Sequence, residues 1–123
     1  MKTNMTVTSV PTNGILALRE GNLLRLFFDF EQVPPTEENP DADQYSCEGV
    51  DVCGSGYGDI VSAIVNDRYP RAKWDAVIAN YQEALDSESE ITAEKRAEYL
   101  AEYEDFQTWR KTAKEIANTI ING

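Results

Sequence analysis

The chain has 123 residues, with 22 Asp and Glu against 11 Lys and Arg, a net charge of -11, no histidine and 41% hydrophobic residues. Such a length and apolar content fit one domain with one main core and exclude global disorder. The acidity argues against direct nucleic-acid binding and against docking on an anionic membrane, and the missing histidines remove the commonest general base and metal ligand.

Met1 is followed by Lys2, Thr3 and Asn4, and no apolar run of signal-peptide or membrane-span length occurs. A cytoplasm, or a particle packed from it, is the expected location. The first third reads as strands. Thr6 to Val10 alternates and is β-branched, and Pro11-Thr12-Asn13-Gly14 is a turn in which proline sets φ and Asn-Gly tolerates positive φ. Ile15 to Arg19 is a second strand, and Glu20-Gly21-Asn22 the next turn. Leu23 to Val33 is the strongest strand, with Leu24, Leu26, Phe28 and Phe30 on one face and Arg25, Asp29 and Glu31 on the other. Phe27 breaks the pattern on the polar face and is a candidate contact with a partner or second layer. Short turns make an antiparallel meander the economical arrangement.

Pro34-Pro35 ends that strand, and residues 34–44 form a solvated acidic loop. Tyr45 to Cys53 reads as a fourth strand in which Cys47, Val50 and Val52 do not share a face and Gly49 marks a candidate bulge. Its two cysteines would lie about 20 Å apart on a straight strand, too far for a disulfide, so reduced thiols in or near the core are favoured.

The second half is helical. After the joint at Gly54 to Gly58, a first helix runs from about Tyr57 to Arg68 with an apolar stripe of Ile60, Val61, Ile64 and Val65. Pro70 fits the first position of a second helix, whose face is Trp74, Val77, Ile78, Tyr81 and Leu85. Asp86 to Glu90 breaks the pattern. Thr92 caps a third helix that reaches about Ile121, roughly 45 Å long at 1.5 Å per residue. Tyr99, Tyr103, Phe106, Arg110, Ala113, Ala117 and Ile120 recur on it at heptad spacing. Aromatics, an arginine and alanines suit a coiled-coil dimer poorly. This seam packs on the first two helices, or it leaves a protruding end for self-association. The expectation is a single α+β domain over 1–123: residues 1–53 mainly β, as an antiparallel meander of three to four strands, and 57–121 helical in three helices, the last one long.

No candidate chemistry outweighs its bland counterpart. Gly54-Ser55-Gly56-Tyr57-Gly58 precedes a helix like a phosphate loop, but it lacks the lysine, and Asp51 and Asp59 flank it. Those acids and Glu48 do not match a calcium-loop spacing, and two thiols without histidine make a poor zinc set. Ser55 has no base partner. The sequence therefore predicts no catalytic residue, no cofactor and no metal site. Between Arg25 and Arg68 lie ten acids and no base. Such a face can mimic nucleic acid toward a basic protein or serve solubility alone.

The motifs at 45–81 are Tyr45 to Cys53, Tyr57-Gly58-Asp59-Ile60-Val61-Ser62-Ala63-Ile64-Val65, Arg68-Tyr69-Pro70 and Ala76-Val77-Ile78-Ala79-Asn80-Tyr81, with Tyr103, Trp109, Lys111, Lys114 and Ala117 beyond. This pattern resembles a group of small uncharacterised proteins of Bacteroides-type gut bacteria and their phages and mobile elements. The resemblance covers roughly the C-terminal two-thirds and carries no catalytic residue; Pro70 departs from it where a serine-type cap is expected. It implies a phage or prophage protein, a structural or accessory virion component of capsid, neck or tail, found in the virion or the host cytoplasm. Its partners would be other protein subunits, self or phage, with no nucleic acid bound directly and no membrane. Phe27, Tyr99, Tyr103, Phe106 and Trp109 are the expected contacts. The alternative is an acidic inhibitor or nucleic-acid mimic acting on a host defence protein.

Overall fold

The structure is a computed structural model that describes residues 1–7, 10–38 and 44–122. It holds four strands, β1 (Lys2–Thr6), β2 (Ile15–Glu20), β3 (Leu23–Gln32) and β4 (Gln44–Cys53). Three helices follow, α1 (Tyr57–Arg68), α2 (Arg71–Leu85) and α3 (Ala93–Asn122). The α+β class expected from the sequence holds: antiparallel strands first, then three helices with a long last one. Two parts of the sequence reading, the centre of the strand at Thr6–Val10 and positions 39–43 of the acidic loop, lie outside the described residues.

The sheet order is β1-β4-β3-β2, all antiparallel. Strands β2, β3 and β4 form a meander. The first strand departs from expectation: it begins at Lys2 and pairs with β4, at the opposite edge from β2. Eight residues separate Thr6 from Ile15. They can reach about 27 Å, and three strand spacings need only about 14 Å. The turns follow their chemistry. The Gly14 N–H donates to Pro11 O at 2.8 Å with Gly14 at φ +74. Gly21, at φ +61, takes the first central position of a two-residue hairpin turn, where a type II′ turn demands glycine.

The strongest strand carries a correction. Phe28 stands opposite Glu48 but Glu31 stands opposite Ser46, so β3 has one extra residue at this point. Asp29 adopts φ +56 there, the described non-glycine residue with positive φ. This is a β-bulge, and it reverses the alternation beyond it. Leu24, Leu26 and Phe28 face the core, whereas Phe30 falls on the Phe27 face, its ring edge-on to Tyr45 at 6.3 Å. The bulge is thus at Asp29 and not at Gly49, which pairs regularly with Phe27.

The core lies between one sheet face and the helices. Leu24, Leu26, Phe28, Val50 and Val52 pack with Ile60, Ile64 and Val65 of α1 and with Phe106, Trp109, Ala113, Ile116 and Ala117 of α3. Helix α1 starts where the sequence places it. The Asp59 carboxylate accepts the Gly56 N–H at 3.2 Å, and a side chain at Gly54, φ +114, would sit 2.6 Å from that same carboxylate. Gly54 and Gly56 therefore make a joint, and Asp59 caps the helix.

Helices α2 and α3 form an antiparallel hairpin, with Tyr81 stacked on Tyr103 at 3.7 Å and Trp74 edge-on to Phe106 at 5.6 Å. Thr92 caps α3 through its hydroxyl, which accepts the Lys95 N–H at 3.1 Å. Pro70 takes the N-cap position of α2, one residue before its expected place. On α2, Val77 and Ala84 are buried while Ile78 and Leu85 are exposed, so the seam is narrower than the apolar spacing implied. On α3 the buried stripe adds Trp109 and Ile116 to the heptad positions. That is the wider face of a helix packed on its own domain rather than a two-helix seam.

Candidate functional site

Because the helices cover one sheet face, the other face shows what the fold leaves for partners. Register places Thr3 and Met5 of β1, Tyr45, Cys47 and Gly49 of β4, Arg25 and Phe27 of β3, and Leu16 and Leu18 of β2 on it. The bulge adds Phe30. None of these side chains belongs to the core cluster. Phe27 is half-buried against Gly49, where a Cβ would lie 3.5 Å from the ring and 3.3 Å from Thr3 Cγ2. Glycine thus lets Phe27 and Thr3 close over β4. Leu18 is 43% exposed. Arg25 meets Asp51 across the strands at 3.8 Å.

Cys47 lies on this outer face yet is fully buried, and its burial together with the neighbouring Glu48 carboxylate pushes the thiol pKa up. Cys53, by contrast, is exposed, which corrects the expectation that both thiols lie in or near the core.

A second cluster lies at the sheet–helix boundary. Glu48 shares the inner face of β4 with Val50 and Val52 and is itself buried. Its Oε1 accepts from Arg68 Nη2 at 3.1 Å, and its Oε2 lies 3.1 Å from the Met1 ammonium, which also pairs with Asp67. Burial by itself would raise the Glu48 pKa, but the ammonium and guanidinium more than offset it and leave the carboxyl below its ordinary range. The Arg68 guanidinium lies 3.5 Å over the Trp109 ring, whose indole N–H donates to Ile64 O at 3.0 Å. Both Glu48 oxygens are occupied by cations, so this acid is held ionised and is poorly suited to exchange protons near neutrality. The chemistry here is a structural clamp between β4, α1 and α3.

The five side chains expected as contacts separate. Phe27 faces outward. Phe106 and Trp109 are 1% and 5% exposed in the core and are withdrawn as contacts. Tyr103 is partly buried against the same core through Tyr81, and Tyr99 is half-buried with Lys95 Nζ 5.6 Å from its ring. Phe30, Leu16, Leu18, Met5 and Tyr45 were missed. The alternation of Leu16 and Leu18 was a usable signal, but the side taken by Phe30 depends on the bulge. Among the described residues no three Cys, Asp or Glu side chains gather as a metal site, and no helix is long and apolar enough to cross a membrane. No protein family, no curated protein and no solved structure matches the chain.

Proposed function

We propose that this chain works without catalysis, through protein–protein contact, as a structural or accessory component of a phage or prophage particle. The contact surface is the outer sheet face around Phe27 and Leu18. The observation that carries the contact reading is the apolar character of that face on a chain of net charge -11. Its charged groups are Glu20, Arg25 and Asp51, and the last two face each other. Contiguous apolar surface outside the core marks a partner site more often than chance exposure does. A second copy of the chain is the occupant that charge favours. Two such faces meet with little like-charge repulsion, whereas most other surfaces of an acidic chain would repel their own copy. The particle assignment draws on the resemblance at residues 45–81.

Sedimentation velocity across protein concentration, paired with mass spectrometry of purified particles, tests the proposal. Self-association that Leu18→Asp abolishes, with an unchanged circular dichroism spectrum, is the expected result, together with detection in particles. A monomer at every concentration overturns the self-contact, and consistent absence from particles overturns the virion role.

A further inference from the structure

A cleft of about 360 Å³ between α1, the start of α2 and the middle of α3 is lined by Val61, Ser62, Val65, Asn66, Arg71, Trp74 and Arg110. Every polar side chain there can donate a hydrogen bond, and none is a carboxylate. In a chain with twice as many acids as bases, two arginines in one lining with no acid among them is a local reversal of charge.

Two of these groups lack the partners their chemistry calls for. The Trp74 indole N–H is buried and has no acceptor, and it is the one buried side-chain N or O atom so identified among the described residues. An unmatched buried donor is costly enough to be rare in folded proteins and calls for an explanation. Arg110 occupies a heptad position on α3. Among the described residues its guanidinium donates a hydrogen bond only to the neutral Gln107 Oε1, at 3.0 Å, and it lies 5.9 Å from the Phe106 ring. No carboxylate among the described residues comes within ion-pair distance of it. Arg71 pairs with Asp75 at 3.3 Å, but both side chains are mostly exposed and such a pair exchanges readily.

We propose that this cleft binds a compact oxyanion, a carboxylate or phosphate group. Arg110 and Arg71 supply the charge, the buried Trp74 N–H gains its missing acceptor when the indole ring turns toward the anion, and Val61 and Val65 receive an apolar remainder. Paired guanidinium donors suit such groups because the fork matches two oxygens at once. The volume lies near the lower end of small-molecule sites, which limits the ligand to one compact group.

The two tryptophan indole N–H resonances make the test internal. Trp109 is already bonded to Ile64 O and serves as the reference. The full chain is titrated with sodium phosphate, sodium benzoate and, as the ionic-strength control, sodium chloride, and both indole signals are followed by NMR. Saturable movement of the Trp74 signal with phosphate or benzoate, and not with chloride, is expected. Stronger binding of benzoate assigns a carboxylate with an apolar body; stronger binding of phosphate assigns a phosphate. Arg110→Gln should weaken binding about tenfold. Arg110→Lys, which keeps the charge and loses the fork, should fall between the two and guards against a folding defect in the first variant. Movement matched by chloride, or no saturation with either oxyanion, overturns the proposal.

Discussion

Glu48 shows what a single residue decides in this fold. It sits on the core side of β4, where the next inward positions toward the helices are Val50 and Val52, and it is tolerated because Arg68 and the Met1 ammonium neutralise it. Its folded pKa is lowered, so its contribution is fully present above the unfolded carboxylate range and is lost as pH falls through the folded value. The Met1 ammonium pKa is raised: burial works against this, but Asp67 and Glu48 prevail. That contribution is present below the unfolded value and is lost as pH rises through the folded one. Stability from this cluster therefore has an acid limb belonging to Glu48 and an alkaline limb belonging to the amine. Glu48→Gln should flatten the acid limb in urea unfolding followed from acidic to neutral pH. At neutral pH it should cost about 1–2 kcal/mol, at the lower end for broken ion pairs because Arg68 is partly exposed. An unchanged acid limb would show that other carboxylates control it.

Strand β3 shows how one element redirects a surface. A perfectly alternating strand would have put Phe30 in the core beside Phe28. The extra residue at Asp29 instead turns Phe30 outward, beside Tyr45 and on the Phe27 face. Aspartate accepts positive φ better than most residues, and a β-branched side chain resists it. Asp29→Gly should therefore leave stability within a few tenths of a kcal/mol, while Asp29→Val should cost about 1–2 kcal/mol, both read from denaturant midpoints at constant slope. If Asp29→Val is neutral, the bulge does not hold the register. Helix boundaries were far more legible. Gly56 and Asp59 mark the start of α1 and Thr92 the start of α3, because capping is a local interaction within four residues of chain. The bulge left no such mark, since it is a mismatch between two strands and is visible only once both are paired.

At the scale of the whole molecule, the net charge of -11 is opposed among the described residues by six ion pairs, half of them exposed on both sides. Repulsion among the acids should then outweigh the attraction that salt weakens. Between about 0.01 M and about 0.15 M NaCl the screening length falls from ~30 Å to ~8 Å. The thermal midpoint should rise over that range in differential scanning calorimetry. A falling midpoint would mean that the surface pairs dominate the repulsion. The architecture also divides the labour of its surfaces. Helices cover one sheet face, an apolar face is left on the other side, and the two arginines of the cleft sit apart from both.

The sequence by itself determined the class of fold, the helix starts, the turns at Gly14 and Gly21, and the apolar faces of α1 and β3 up to Phe28. All of these depend on propensity, capping or periodicity within a few residues. Only the tertiary structure decided which partner each face meets. It moved β1 to the far edge of the sheet, drew Phe106 and Trp109 of the aromatic helix into the core, and turned Phe30 outward. It also set Arg110 and Trp74 around a cleft although they are remote in sequence. Each of these outcomes is a contact between distant segments, and its free energy comes from desolvating both sides together. No pattern along one segment contains that quantity.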